Sequence, residues 1–182
     1  PPDFRGWIEE LGMPVVPIGP ELRYTGKESA SAPPITPEQR RQMIEGTVAT
    51  QFQTISAAAQ GCDVIVGATA LQIAAPSIAE KLGIPYFFAA YCPAVLPSRH
   101  HAPPVLGWLG EKPVAAMPDY SELWAKDAER WNAQWGAALN AQRGAIGLSP
   151  VEDVRSYIFT DTPWLAADPI LAPWPKPSGA AS

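Results

Sequence analysis

His100 and His101 are the only two histidines in the chain, and they are adjacent. An imidazole exchanges protons near neutral pH, so the pair suits a general base or two groups that contact a ligand. No carboxylate shares the motif to orient either ring, and the other reading is two loop residues at a pocket rim. A metal site would need a third ligand close by, and adjacent histidines rarely point the same way. Gly67-Ala68-Thr69-Ala70 is a small-residue turn after an apolar run; it lets a ligand approach the backbone, or it simply packs. Trp124, Trp131 and Trp135 recur at helical spacing, as core residues or as a platform for stacking a sugar. Asp161 and Asp168 read as cap or turn residues rather than acid catalysts. The chain carries no G-x-S-x-G elbow, no P-loop and no G-x-G-x-x-G.

The elements that position these residues centre on residues 61–97. Asp63-Val64-Ile65-Val66-Gly67 is an unalternating apolar run, the pattern of a strand buried on both faces of a parallel sheet. A helix is expected over residues 71–82, closed by Gly83 in a left-handed cap and by Ile84-Pro85. Tyr86 to Tyr91 is a second strand, ended by Cys92-Pro93. Together these make a βαβ unit with a right-handed crossover. Residues after Cys92 then fall at the carboxyl edge of the sheet, where open α/β sheets bind ligands.

On either side, the periodicity predicts further elements. Asp3 caps a first helix whose apolar face is Phe4, Trp7, Ile8 and Leu11. Residues 13–18 read as extended, a sheet-edge strand or a segment only partly paired, because Pro14 and Pro17 lack ladder donors. Residues 19–35 form a long loop without periodicity. Thr36-Pro37-Glu38-Gln39 is a capping box that opens a long helix, with Ile44, Val48, Phe52, Ile55 and Ala59 on one face. A second irregular segment runs from Pro93 to Pro118. Asp119-Tyr120-Ser121-Glu122 is a further capping box for a helix ending near Gly147. Ser149-Pro150-Val151-Glu152 caps a short helix, Tyr157-Ile158-Phe159 reads as a strand, and residues 172–182 read as a linker.

With 182 residues, 47% of them apolar and 17% charged, the chain is expected to form one globular domain. The net charge of −5 without a basic cluster argues against a nucleic-acid partner. No apolar run has the length of a membrane span. Cys62 and Cys92 are expected as small buried residues in a reducing compartment, a disulfide between them being the alternative. A cytoplasmic location follows. The chain opens on a helix with no strand before it, which is expected of a fragment lacking its first strand.

The stretch GCDVIVGATALQIAAPSIAEKLGIPYFFAAYCPAVLPS resembles the N-terminal domain of bacterial GT-B glycosyltransferases. The resemblance is to the vancomycin-group glycopeptide glycosyltransferases and, more distantly, to sterol and glycolipid glucosyltransferases. EELGMPVVPIGP, TPEQRRQMIEGTVATQFQTISAAAQGCD, WNAQWGAALNAQRGAIGLSPVEDV and YIFTDTPWLAADPILAP extend it in order over nearly the whole chain.

The resemblance implies an α/β, Rossmann-like parallel sheet with helices on both faces, the N-terminal half of a GT-B fold without its first strand. Residues 1–171 would be a partial acceptor-binding domain, and residues 172–182 the interdomain linker or tail. The parent protein would be an inverting hexosyltransferase, dependent on a UDP- or TDP-sugar, that glycosylates a hydroxyl of a natural product or lipid-like aglycone. The acceptor hydroxyl attacks the anomeric carbon with inversion and loss of the nucleoside diphosphate. Neither a cofactor nor a metal ion is implied. The co-substrate nucleotide-diphosphate sugar would sit mainly on a C-terminal domain, the chain's expected partner. The family's candidate base would lie before residue 1, with His100 as an alternative within the chain. This chain alone is expected to be inactive. The acceptor site is expected at Thr69, Tyr91, Pro93, Val95, Arg99, His100 and His101, with residues 19–35 as a lid. A non-catalytic Rossmann-like binding module is the other reading.

Overall fold

A computed structural model describes residues 2–19, 21, 36–68, 71–105, 115–168 and 170. The expected lid (residues 19–35), Thr69 and the expected linker (residues 172–182) lie wholly or almost wholly outside the described residues. Five α-helices are described: α1 (Arg5–Glu10), α2 (Pro37–Ala58), α3 (Ala75–Leu82), α4 (Ser121–Ala145) and α5 (Val154–Phe159). Strands β1 (Ile65–Gly67), β2 (Tyr86–Ala90) and β3 (Trp164–Leu165) form a sheet in that order. Both pairings are parallel, with Ile65 opposite Tyr86 and Ala89 opposite Trp164. The β1–α3–β2 unit is therefore as expected, and the chain is an α/β protein.

Local chemistry accounts for the element ends. Thr36 Oγ1 accepts from the Gln39 amide at 3.2 Å and Gln39 Oε1 accepts from the Thr36 amide at 2.8 Å, so the capping box of α2 is complete. Gly83 closes α3 at φ 68°, a conformation that costs a glycine little. Helix α3 begins at Ala75 rather than residue 71, because the Pro76 ring would clash with a helical carbonyl at residue 72. The loop so formed is braced by buried Gln51, which donates to Leu71 O at 2.8 Å and accepts from Ala74 N at 3.2 Å.

Several expectations are corrected. Asp3 lies inside a 3-10 turn (Pro2–Phe4), and Phe4 holds the cap position of α1. The α1 face is not buried: Trp7 is 63% exposed, and Phe4 and Leu11 are also exposed. Residues 13–18 form no strand, since Pro14 and Pro17 remove the donors a ladder needs. Helix α4 is preceded by an Asx turn, not a capping box, with Asp119 Oδ1 accepting from both the amide (2.8 Å) and hydroxyl (2.6 Å) of Ser121. Tyr157-Ile158-Phe159 is helical, not a strand. Asp153 caps α5 through the Ser156 amide at 3.0 Å, and Val154, Arg155, Ile158 and Phe159 are buried at helical spacing. Cys62 and Cys92 are exposed free thiols, because each sits in a turn at a strand end rather than in the sheet.

The sheet is covered unequally. One core joins Val48 and Phe52 of α2, Ile78 of α3, Leu139 of α4, Ile158 of α5 and Phe88 of β2. The opposite face carries Val66, 48% exposed, and Trp164, 52% exposed and stacked on Phe87 at 4.5 Å. So β1 is not buried on both faces: among the described residues, α2 to α5 all pack on the Phe88 side. On that side Gly67 leaves room for the Tyr86 ring, whose hydroxyl donates to Ile158 O at 3.0 Å.

A polar brace joins the helices on their outer side. Buried Arg143 of α4 donates to Ser149 O at 2.7 Å, Ser77 Oγ at 3.0 Å and Glu80 Oε2 at 2.8 Å, and lies over the Tyr157 ring. The Arg143 hydrogen bond, helped by the Tyr157 hydroxyl, holds Glu80 below its ordinary 4.5. A carboxylate lowered in this way stabilises the fold above its unfolded pKa, and the contribution fades as pH falls through the lowered value. Glu80→Gln is therefore expected to cost about 0.5 kcal/mol at neutral pH, the scale of a solvent-screened pair. The cost should vanish as pH falls below the ordinary carboxylate range, as urea titrations at stepped pH will register. A cost that stays constant through that range would contradict the assignment.

Candidate functional site

The parallel register puts the ends of β1 and β2 at one edge of the sheet, and an apolar cavity opens there. It has a volume of about 270 Å³. Leu71, following β1, and Val95, following β2, form one side with Pro104. Trp131 and Trp135 of α4 and Phe159 of α5 supply aromatic walls, and Trp131 meets Phe159 edge-on at 5.5 Å. The polar lining is Asp127, Arg130 and Gln134 of α4 and Arg155 of α5.

Three of those polar groups form one ionic cluster. Arg155 Nε donates to Asp127 Oδ2 at 2.8 Å, with both side chains nearly inaccessible to solvent. Arg130 pairs with the other oxygen of the same carboxylate. Arg155 also donates to Val95 O at 2.7 Å, and its guanidinium lies over Trp124 at 4.7 Å and Phe159 at 4.4 Å. Burial holds Arg155 below an arginine's ordinary value, against the opposing pull of Asp127. The result is an apolar, aromatic hollow with a few fixed polar groups, the composition of a site for a small organic molecule.

The expected site residues divide. Val95 lines the cavity, held by Arg155 through its carbonyl. Pro93 starts the 3-10 turn (Pro93–Val95) that delivers Val95 to the cavity. His101 stands behind it: the Trp124 indole donates to His101 O at 2.9 Å, and the two rings meet edge-on at 5.6 Å. His101 Nδ1 lies 3.1 Å from Ala102 O, which places the proton of a neutral ring on that nitrogen. Tyr91 is 64% exposed and does not line the cavity. Arg99 pairs with Asp119 at 3.1 Å and so braces the start of α4. His100 is exposed, with its amide bound to Ser98 Oγ at 3.1 Å. Thr69 lies outside the described residues. Asp168 takes the turn role expected of it, accepting from Ile170 N at 2.8 Å.

Asp127, Arg130 and Arg155 were not singled out from the sequence. A signal was present: Asp127, Trp131 and Trp135 recur every four residues, so a carboxylate shares a face with two indoles and needs a buried partner. Among the described residues no three His, Cys, Asp or Glu side chains gather as metal ligands would. Nor is any described helix long and apolar enough to cross a membrane.

Comparison with known proteins agrees with this architecture. Glycosyltransferase GtfE of Amycolatopsis orientalis is 43% identical over 175 residues, 95% of this chain. The vancomycin aglycone glucosyltransferase of the same organism matches to the same extent, and its dTDP-epi-vancosaminyltransferase is 37% identical over 175 residues. This chain is a homologue of the vancomycin-group glycosyltransferases. It spans 42% of the length of the first two relatives and 38% of the third. No family model matches.

Removing the Asp127 carboxylate leaves Arg155 buried without its counter-charge, a loss of about 3–5 kcal/mol. Asp127→Ala should therefore lower stability by about that much in urea denaturation. The double variant Asp127→Ala, Arg155→Met should recover a good part of it, because the uncompensated charge is gone. If the double variant is the less stable of the two, the pair does not carry the role given to it.

Proposed function

We propose that this chain is the acceptor-binding part of an inverting, nucleotide-sugar-dependent hexosyltransferase. The acceptor is a hydroxyl-bearing natural product or lipid-like aglycone, of which glycopeptide aglycones are the first candidates because one relative is named for such a substrate. The observation that carries the proposal is the aromatic cavity at the carboxyl edge of the sheet. Its walls give an aglycone apolar contact on Val95, Trp131 and Phe159, while Gln134 and Arg130 offer polar groups to orient it.

In this reading the cavity positions the acceptor so that one hydroxyl projects from the edge toward the anomeric carbon of a UDP- or TDP-sugar. That donor is held by a C-terminal nucleotide-sugar domain of the parent protein. The nucleotide sugar is a co-substrate, and the reading calls for no cofactor or metal ion. The catalytic base comes from outside this chain, so residues 1–182 alone transfer no sugar. His100, exposed and away from the cavity, has weaker support as an alternative base. Residues 1–171 act as the acceptor domain, 172–182 as its linker, and the location is cytoplasmic. The 19–35 lid and Thr69 belong to the same proposal, as do Tyr91, Pro93, Arg99, His100 and His101 as rim residues. Of the residues expected from the sequence, Val95 has the strongest support.

The test is kinetic, in the full-length parent. Trp131→Ala should raise the acceptor KM about tenfold, the equivalent of about 1.4 kcal/mol, by removing an aromatic wall. The nucleotide-sugar KM should stay within about twofold, a change worth less than the loss of one hydrogen bond. A rise in the nucleotide-sugar KM with the acceptor KM unchanged would place this cavity on the wrong side of the reaction.

A further inference from the structure

A second cavity, of about 430 Å³, lies beside the first and shares Phe159 with it. Its floor is Leu96, Phe159 and Pro163, and its polar lining includes Thr160, Asp161 and Thr162. Thr160 adopts φ 61° and ψ 167°, the only positive φ of a non-glycine residue among the described residues. That region is one that glycine enters freely and a β-branched residue does not. Its amide donates to Ser156 O at 2.9 Å, so the strained turn is clamped to the end of α5. Strain of this kind persists where surrounding structure enforces it, and it concentrates at ligand sites. Among the described residues, the Asp161 and Thr162 side chains make no hydrogen bond or ion pair.

Among the described residues, Asp161 is the sole charged group lining this cavity. A negative charge with no cation in the lining disfavours phosphate and carboxylate here. What fits is a ligand that donates several hydrogen bonds from one edge and presents carbon-bound hydrogen on its face. A carboxylate accepts from two neighbouring hydroxyls, and threonine hydroxyls both donate and accept. The apolar floor takes the ring face. Resting on the acceptor reading above, we infer that Thr160, Asp161 and Thr162 form a subsite for the hydroxyl groups of a sugar ring. Phe159 is the partition between that sugar and the aglycone. The sugar is either the one carried by the nucleotide or one already attached to the acceptor.

The experiment measures binding by calorimetry to the full-length protein and its Asp161→Ala and Thr162→Val variants. The probes are UDP-glucose, TDP-glucose, vancomycin aglycone and the monoglucosylated aglycone. Each substitution should weaken a sugar-bearing probe roughly fivefold, the loss of about one hydrogen bond. Thermal midpoints should not move, because neither side chain has a partner among the described residues. Weaker nucleotide-sugar binding alone identifies the transferred sugar; weaker binding of the glucosylated aglycone alone identifies an acceptor-borne sugar. Either result supports the subsite. Unchanged affinity for every sugar-bearing probe, or a loss confined to the bare aglycone, overturns it. If the unsubstituted protein binds neither aglycone, the acceptor reading fails and this subsite falls with it. If Trp131→Ala weakens the bare aglycone while the two variants change nothing, only the subsite is lost.

Discussion

Asp127 and Arg155 bring opposite charges together where water hardly reaches, and the carboxyl edge of this protein is arranged around that pair. Taking two ions out of water costs several kcal/mol for each, so the pair persists only with close geometry and further hydrogen bonds. Both conditions hold. Asp127 gives its second oxygen to Arg130, and Arg155 donates a second hydrogen bond to the Val95 carbonyl. In satisfying their own electrostatics the two residues tie α4, α5 and the turn after β2 into one frame. The hollow between those three elements is the cavity. Its position thus follows from where buried charge had to be neutralised.

The frame also explains why the aromatic residues are fixed. The Arg155 guanidinium lies between Trp124 and Phe159, so the cation uses two ring faces in place of lost water. Trp124 in turn anchors the loop at His101 through its indole N–H. Arg143 does equivalent work on the far side of the same helices, binding α3 to α4 and α5 through Ser77, Glu80 and Tyr157. With one cationic hub at the cavity and one behind it, α4 holds its tryptophans in place. Vancomycin-group relatives match 95% of the chain, a span that takes in both hubs and the cavity.

Much of this was legible in the sequence where a local rule decides the structure. The capping box at Thr36 and the Gly83 cap depend on residues a few positions apart, and they form as read; the βαβ unit forms too, with its helix beginning later than expected. The misreadings came where tertiary contacts decide. Tyr157-Ile158-Phe159 has strand-like composition, yet Asp153 and the burial of Val154 and Arg155 make it helical. Val64 and Val66 resemble a fully buried strand, but periodicity cannot tell which face a neighbour covers. At the site, the position after Cys92-Pro93 pointed to the edge where the aromatic cavity lies. Arg99 and His100 beside it face solvent, and Asp127 and Arg155, which lie 28 residues apart, were not singled out. The spacing of Asp127, Trp131 and Trp135 marks a carboxylate in need of a partner, but at that separation nothing short-range names Arg155 as the partner.

The claim that this edge receives an acceptor is tested most directly by a crystal structure of the full-length protein with an aglycone bound. The account predicts aglycone atoms in van der Waals contact with Val95, Trp131 and Phe159, with the Asp127–Arg155 pair intact beneath them. An aglycone seated elsewhere, with this cavity empty or filled by the protein's own side chains, would contradict it.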